Sequence, residues 1–221
     1  MSLLSATDRE AVRQRFSVLT SPVRLLFFSQ TFGEPESARL ASQIVKELTD
    51  LSDHLVIEEV NFVLEKERAS ALGIDRIPAI ALMKGDEDAR IRFLGAPSGY
   101  EFMSLVEAIV IAGTSEPGLN DTTMAKLRDV TAPMDVKVFV TPTCPHCPRA
   151  VTLSNRLASA SPFITATCVE ASEFIDLSRQ FRVTGVPKTV VNESIEILGL
   201  LPEDEFVAAV LSKPISEPPP A

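Results

Sequence analysis

Hydrophobic positions in the first half of the chain alternate between strand-like runs and helical spacings. Thr7-Asp8-Arg9-Glu10 has the form of a capping box, and Val12, Phe16 and Leu19 then mark one helical face. The pattern after them predicts the order strand, helix, strand, short helix, two strands and a closing helix. These elements are Val23–Ser29, a helix with apolar positions Leu40, Ile44, Val45 and Leu48, then Leu55–Phe62, Glu65–Leu72, Ala79–Met83, Arg90–Leu94 and Tyr100–Ala112.

The second half repeats this order. Two landmarks recur in step, because Ile77-Pro78 matches Val186-Pro187 and Gly95–Phe102 matches Gly199–Phe206. The predicted elements are a helix capped by Asn120 or Asp121 and running to Val130, then Val136–Val140, Pro148–Ala158, Ile164–Glu170, Phe174–Phe181, Lys188–Val191, Ser194–Leu198 and Pro202–Leu211.

The repeat predicts an α/β chain of two similar units, residues 1–115 and 116–213. Gly113–Gly118, rich in turn-forming residues, is the expected linker between them. The tail, residues 214–221, is too rich in proline to pack and is expected to fray.

Cys144-Pro145-His146-Cys147 lies between a predicted strand and a predicted helix. Thiols at i and i+3 at the start of a helix place the first sulfur toward solvent and the second one turn down. The free N–H groups and the positive end of the helix dipole favour a thiolate at the first cysteine. Because the thiolate is the species that attacks disulfides, this placement predicts a redox dithiol.

Two other interpretations of the cysteine pair are a structural disulfide and half of a zinc site. A structural zinc site needs four ligands. The chain offers only one further cysteine, Cys168, and two histidines, His54 and His146. We therefore favour redox chemistry, with no metal and no cofactor beyond the cysteine pair itself.

The amino-acid composition limits the classes of partner and the cellular compartment that we expect. A net charge of −9 with no run of Lys or Arg argues against a nucleic-acid partner. The first ten residues lack a basic region followed by an apolar core, so no signal peptide is predicted, and no apolar run reaches membrane-spanning length. With three cysteines and no export signal, we expect a reducing cytoplasm, where a Cys-x-x-Cys is more often catalytic than structural.

Three segments carry a resemblance to a known family. Phe139–Pro148 looks like the C-terminal active-site strand and loop of the protein disulfide oxidoreductases built of two fused thioredoxin folds, also called glutaredoxin-like domain proteins. Ile74–Pro78 and Phe93–Phe102 look like that family's N-terminal cis-proline and following hairpin. The resemblance covers nearly the whole chain. The N-terminal module of the alkyl hydroperoxide reductase flavoprotein, also a double thioredoxin fold with one working dithiol, is a second relative.

The resemblance implies an α/β chain of two tandem thioredoxin-like folds, each a central mixed β-sheet flanked by helices. It also implies cis peptide bonds at Ile77-Pro78 and Val186-Pro187, the positions where that fold carries a cis-proline. The chain departs from the family in its first half, where Glu34 and Ser37 occupy the two expected cysteine positions. The first half therefore cannot run disulfide chemistry, and Glu34 is expected to favour the start of the following helix electrostatically.

The chemistry assigns roles within the motif. Cys144 is the expected nucleophile, and Cys147 is the residue that resolves the mixed disulfide. Pro145 rigidifies the first turn. His146 is expected to stabilise the Cys144 thiolate, which would make the centre more oxidising than thioredoxin.

Substrate contacts are expected beside Pro187, since a cis bond there leaves the backbone of Val186 free to pair with an extended segment. Thr184 and Gly185 are further candidates. Outside the site, Cys168 is interpreted as a small buried core residue, Glu170 as a solvated acid at a strand end, and His54 as loop surface.

Two functions remain open. The first is a thiol–disulfide oxidoreductase that reduces, oxidises or isomerises disulfides of protein substrates. The second is an electron-transfer module between a thioredoxin-reductase-like flavoprotein and a peroxiredoxin. A non-catalytic scaffold built on the first half ranks last, because the cysteine pair is intact.

Overall fold

The computed structural model describes residues 2–31, 33, 35–114 and 116–212. Over that part of the chain, eight helices and eight strands follow in the predicted order. They are α1 (Ala6–Phe16), β1 (Val23–Ser29), α2 (Glu36–Thr49), β2 (Leu55–Asn61), α3 (Lys66–Ala71), β3 (Ala79–Lys84), β4 (Glu87–Leu94), α4 (Glu101–Gly113), α5 (Asp121–Leu127), β5 (Met134–Val140), α6 (Cys147–Ala160), β6 (Ile164–Glu170), α7 (Ile175–Gln180), β7 (Lys188–Val191), β8 (Ile195–Leu198) and α8 (Glu203–Val210).

Two predicted boundaries were wrong for identifiable reasons. α1 begins earlier because Ser5 caps it: Ser5 Oγ accepts the N–H of Asp8 at 3.1 Å and donates to the Asp8 carboxylate at 2.7 Å. β4 begins at Glu87 rather than Arg90, because Glu87 pairs with Lys84 across a register shift in the hairpin. The predicted unit boundary at residue 115 and the tail lie outside the described residues and stay predictions.

One sheet runs through both halves in the order β2-β1-β3-β4-β6-β5-β7-β8. Each half contains a parallel pair, β1 with β2 and β5 with β6, connected through α2 and α6 respectively. The halves join where β4 runs parallel to β6, with Ile91 opposite Ala166 and Leu94 opposite Val169. β1 and β5 point in the same direction through these pairings. Their C-terminal ends therefore lie at the same edge of the sheet.

Helices cover both faces of the sheet, because successive strand residues point to opposite sides. On β5, Val138 belongs to an apolar cluster that also contains buried residues of α2, α4 and α6. Phe139, its neighbour, belongs to a second cluster with Ala69 of α3 and Leu177 of α7. Among the described residues, no helix is long and apolar enough to cross a bilayer.

Arg90 ties the first half to the helix that follows the cysteine motif. Its Nε and Nη2 donate to the carbonyl oxygen of Ala158 at 3.2 and 3.0 Å, and Nε also donates to that of Ser161 at 3.1 Å. These carbonyls lie at the C-terminal end of α6, where they have no partner within the helix. A cation there also interacts favourably with the helix dipole.

We predict that Arg90→Met lowers the free energy of unfolding by about 2 kcal/mol, because it keeps the aliphatic stem but removes the charged donors. Denaturant unfolding followed by circular dichroism measures the change. Arg13→Met is the matched control, since Arg13 makes only a surface ion pair with Glu10 at 3.4 Å and should cost less than about 0.5 kcal/mol. Equal midpoints for the two variants would contradict the capping role.

Candidate active site

Cys144 and Cys147 form a disulfide at the end of β5, with their Cα atoms 5.5 Å apart. The loop turns tightly after Val140, where the N–H of Cys144 donates to the carbonyl of Thr141 at 3.1 Å. Cys147 is the first residue of α6 and has no exposed surface, whereas Cys144 is 8% exposed. Cys144 is therefore the more accessible of the two cysteines.

Both predicted cis peptide bonds are present, at Ile77-Pro78 and Val186-Pro187. In the second half, Sγ of Cys144 lies 3.7 Å from the carbonyl oxygen of Val186. Pro187 is buried and its carbonyl accepts the N–H of Gly199 at 2.8 Å, which fixes the loop to the residue after β8. The structure thus brings the predicted substrate-contacting backbone directly against the accessible sulfur.

The remaining predicted site residues lie at the surface of this region. Pro145 and His146 are exposed, and His146 occupies the N-cap position of α6 without a side-chain capping hydrogen bond. Thr184 and Gly185 are exposed in the loop before Val186. Their roles in substrate contact and thiolate stabilisation stay predictions.

Gly99 and Tyr100 of the first half pack against Pro142 of the loop that carries Cys144, and this contact is called the brace. The N–H of Tyr100 donates to the carbonyl of Pro142 at 2.9 Å. Gly99, with φ 58°, lies so close to the same carbonyl that a Cβ on it would overlap the Pro142 oxygen. A side chain at residue 99 would therefore displace the loop that carries Cys144.

Glu101, the first residue of α4, is a buried acid beside this brace. It is 1% exposed, and its Oε2 lies 3.7 Å from Sγ of Cys168 on β6. Burial raises the pKa of Glu101 to about 7, and the nearby polar side chains of Ser104 and Cys168 offset part of that rise. A carboxyl group with this pKa gains and loses its proton near neutral pH.

Cys168 is buried, as predicted, and makes no disulfide. It lies opposite Val138 of β5, so its side chain belongs to the same apolar cluster as Cys144 and Cys147. Burial, with a further contribution from the Glu101 carboxylate, raises the pKa of the Cys168 thiol. This thiol therefore stays protonated at neutral pH and is a poor nucleophile.

Glu170 is not the solvated acid that the sequence predicted. It is 5% exposed, and its carboxylate accepts the N–H of Ser172 at 3.2 Å and of Glu173 at 2.6 Å. It thus closes the turn after β6, and the Glu173 carboxylate in turn accepts the N–H of Ala96 at 2.8 Å. His54 is exposed, as expected for loop surface.

The corresponding position in the first half holds no thiol. Ser37 lies in the first turn of α2, which follows Pro35, and Glu34 is outside the described residues. All three cysteines of the chain lie after residue 140. Only the second half can therefore exchange electrons with a disulfide.

Sequence reasoning missed Glu101, Gly99 and Arg90. A weak signal for Glu101 was present, since this acid begins a helix, Glu101–Gly113, in which Glu107 is the only other charged residue. Glu107 is explained by its paired hydrogen bonds to Arg15, both 2.6 Å long. The contacts of Gly99 and Arg90 reach across to the other half of the chain, so local sequence carried no signal for them.

Comparison with known proteins agrees with this geometry. Residues 134–212 match the family model for a thioredoxin domain. The alkyl hydroperoxide reductase component AhpF of Staphylococcus epidermidis is 24% identical over 172 residues, which are 78% of this chain and 31% of that protein. The chain thus spans about a third of the length of the curated relatives it matches.

Two solved structures share the fold over almost the whole chain. The NTD_N/C domain of AhpF from Enterococcus faecalis superposes with a TM-score of 0.88 at 25% identity, covering 94% of this chain and 99% of that one. A protein disulfide oxidoreductase from Aeropyrum pernix gives a TM-score of 0.84 at 26% identity, covering 93% and 91%. Residues 134–212 therefore match a thioredoxin domain, and nearly the whole chain is similar in fold to the NTD_N/C domain of AhpF and to a protein disulfide oxidoreductase.

Proposed function

We propose that this protein exchanges disulfides with protein substrates through the single Cys144–Cys147 centre. The observation that carries the proposal is the position of Cys144, which is 8% exposed and has its Sγ 3.7 Å from the Val186 carbonyl, while Cys147 is fully buried. An extended substrate segment pairing with the backbone of Val186 would present its own sulfur to Cys144.

The reaction runs in two displacements. The Cys144 thiolate attacks a substrate disulfide, forms a mixed disulfide and releases one substrate thiolate. Cys147 then attacks the Cys144 sulfur, releases the second substrate thiolate and leaves the Cys144–Cys147 disulfide. Two electrons have passed to the substrate, and an external dithiol restores the centre. Oxidation of a substrate dithiol is the same path reversed.

The second displacement requires Cys147 to lose its proton in a buried environment, where a free thiolate is costly. We propose Glu101 as the proton acceptor. It is buried at the start of α4, directly after Tyr100, which hydrogen-bonds the cysteine loop, and its carboxyl lies 3.7 Å from Sγ of Cys168 on β6. The redox-inactive first half would thus supply the base for the second half.

A second candidate function is electron transfer from a thioredoxin-reductase-like flavoprotein to a peroxiredoxin. The observation that favours it is the likeness to AhpF, of which this chain spans about a third. In this role a separate flavoprotein would reduce Cys144–Cys147, and the chain would serve one dedicated acceptor rather than many protein disulfides.

The two functions predict different substrate ranges. A general oxidoreductase reduces insulin with dithiothreitol at a rate well above the uncatalysed reaction, and Cys144→Ser returns the rate to background. A dedicated carrier is inactive on insulin but transfers electrons to a peroxiredoxin when a thioredoxin-reductase-like flavoprotein and NAD(P)H are supplied. Absence of turnover in both assays would overturn the proposal.

A further inference from the structure

A groove of about 340 Å³ runs between α6 and α8, beginning at Pro148, the residue after Cys147. Its walls are Pro148, Arg149, Thr152, Leu153 and Arg156 from α6, and the segment Leu200–Glu203 at the start of α8. This segment follows Gly199, whose N–H binds the Pro187 carbonyl. The groove is therefore continuous with the backbone that flanks the accessible sulfur.

Two arginines give the groove a positive charge. Arg149 is exposed and makes no hydrogen bond or ion pair within the described part of the chain. Arg156 donates only to the backbone carbonyl of Gly118, at 3.0 Å. Glu203, the acidic residue of the lining, accepts a hydrogen bond from the backbone N–H of Asn120 through its carboxylate, at 2.9 Å. The lining thus carries two arginines against one glutamate, a local excess of positive charge in a protein of net charge −9.

The spacing of the arginines suits an extended chain. Arg149 and Arg156 lie on the same side of α6, roughly 10 Å apart along the helix axis. An extended segment covers that distance in about three residues. Between them, half-buried Leu200 and Leu201 and the 9%-exposed Leu153 offer an apolar wall. Because only every second side chain of such a segment faces the groove, the arginines fit acidic residues four positions apart, with an apolar residue midway between them on the same face.

We propose that this groove docks the segment that flanks the reactive cysteine of a protein substrate, and that Arg149 and Arg156 select segments carrying aspartate or glutamate. The proposal rests on the proposed disulfide exchange and adds the chemical class of its preferred substrate. Opposite charges mainly raise the association rate and the specificity, and salt screens them over about 8 Å at physiological ionic strength.

Three disulfide-bonded peptides that differ at two positions test this preference. The positions lie four residues apart after the reactive cysteine, so that both face the groove, and they carry Asp, Ser or Lys. Reduction by the full-length, pre-reduced protein is followed in single turnovers at low and high salt. The wild-type protein is expected to reduce the Asp peptide about tenfold faster than the Lys peptide at low salt, with the ratio falling to about two in roughly 0.5 M salt.

The double variant Arg149→Glu, Arg156→Glu is expected to prefer the Lys peptide, a gain that misfolding cannot produce. Arg39→Glu, Arg179→Glu is the matched control, because both residues are exposed, carry no ion pair within the described residues and lie on other helices. This control variant changes the net charge by the same amount as the groove variant, and it should still reduce the Asp peptide fastest. Equal rates for all three peptides with the wild-type protein would contradict docking of acidic segments in the groove, while disulfide exchange itself would still be supported. Failure to reduce any peptide would overturn both.

Discussion

Replacing Cys144 by serine is expected to abolish disulfide exchange, whereas replacing Cys147 by serine should trap the substrate on the protein. Cys144 is 8% exposed, whereas Cys147 has no exposed surface. Without Cys144 the first displacement has no nucleophile, so the rate should fall by at least about 10³-fold, to that of the uncatalysed reaction. Without Cys147 the first displacement still occurs, but the mixed disulfide has no internal thiol to resolve it.

Intact mass measurement under non-reducing conditions distinguishes these outcomes. Cys147→Ser incubated with a disulfide peptide should gain the mass of one half of the peptide, and dithiothreitol should remove it. Cys144→Ser should gain nothing, because Cys168 is buried with a raised pKa and cannot replace the nucleophile. Cys168→Ser is the control for loss of a thiol and should still turn over. A stable adduct on Cys144→Ser would show that the order of the two cysteines has been assigned the wrong way round.

The sequence predicted the order of the elements because each half carries its own periodic pattern and its own turn signals. It predicted the redox pair because two thiols at i and i+3 before a helix have few other uses. Both cis peptide bonds were predicted from the resemblance and are confirmed at Pro78 and Pro187. The hypothesis that His146 stabilises the Cys144 thiolate stays a prediction, which the redox potential of the centre would test.

What the sequence could not predict depends on contacts between distant segments. Glu170 was expected in solvent, yet the next turn folds over it and supplies two N–H donors. Gly99 lies within the landmark Gly95–Phe102, and a glycine is needed there because the Pro142 carbonyl leaves no room for a side chain. Arg90 was the first residue of a predicted strand, and its guanidinium caps a helix of the other half. For Gly99 and Arg90 the decisive partner is far away in the sequence.

These contacts change how the cysteine-free half is interpreted. It has no cysteine, but it contacts the C-terminal end of α6 and the loop before its N-terminal end. Arg90 binds the C-terminal end of α6, and Tyr100 binds the loop that leads into its N-terminal end. Because β4 pairs directly with β6, the two halves share one sheet and cannot move as independent bodies without breaking that ladder. The first half is therefore a structural part of the redox site.

The Glu101→Gln variant tests whether this half also supplies the base. Burial raises the pKa of Glu101 from an ordinary 4.5 to about 7, so the folded protein holds a proton that the unfolded chain releases between those pH values. The contribution of Glu101 to stability then falls as pH rises from about 4.5 to 7, by about 3 kcal/mol. Glutamine carries no titrating proton, so the stability of the variant should lack this pH dependence. Relative to the wild type, the variant should gain a similar free energy of unfolding between about pH 5 and pH 8.

The same variant should be slower in the step where Cys147 resolves the mixed disulfide, by about 100-fold at about pH 8, because the proton acceptor is gone. Urea unfolding at several pH values measures the first effect, and single-turnover release of the substrate thiol measures the second. Glu107→Gln, on the same helix but paired with Arg15 toward the surface, is the control and should change neither the pH slope nor the resolving rate. If Glu101 contributes only to packing, Glu101→Gln should be more stable than the wild type and should resolve the mixed disulfide at the wild-type rate. Gain and loss together would show that the protein keeps Glu101 at the expense of stability because resolution of the mixed disulfide requires it.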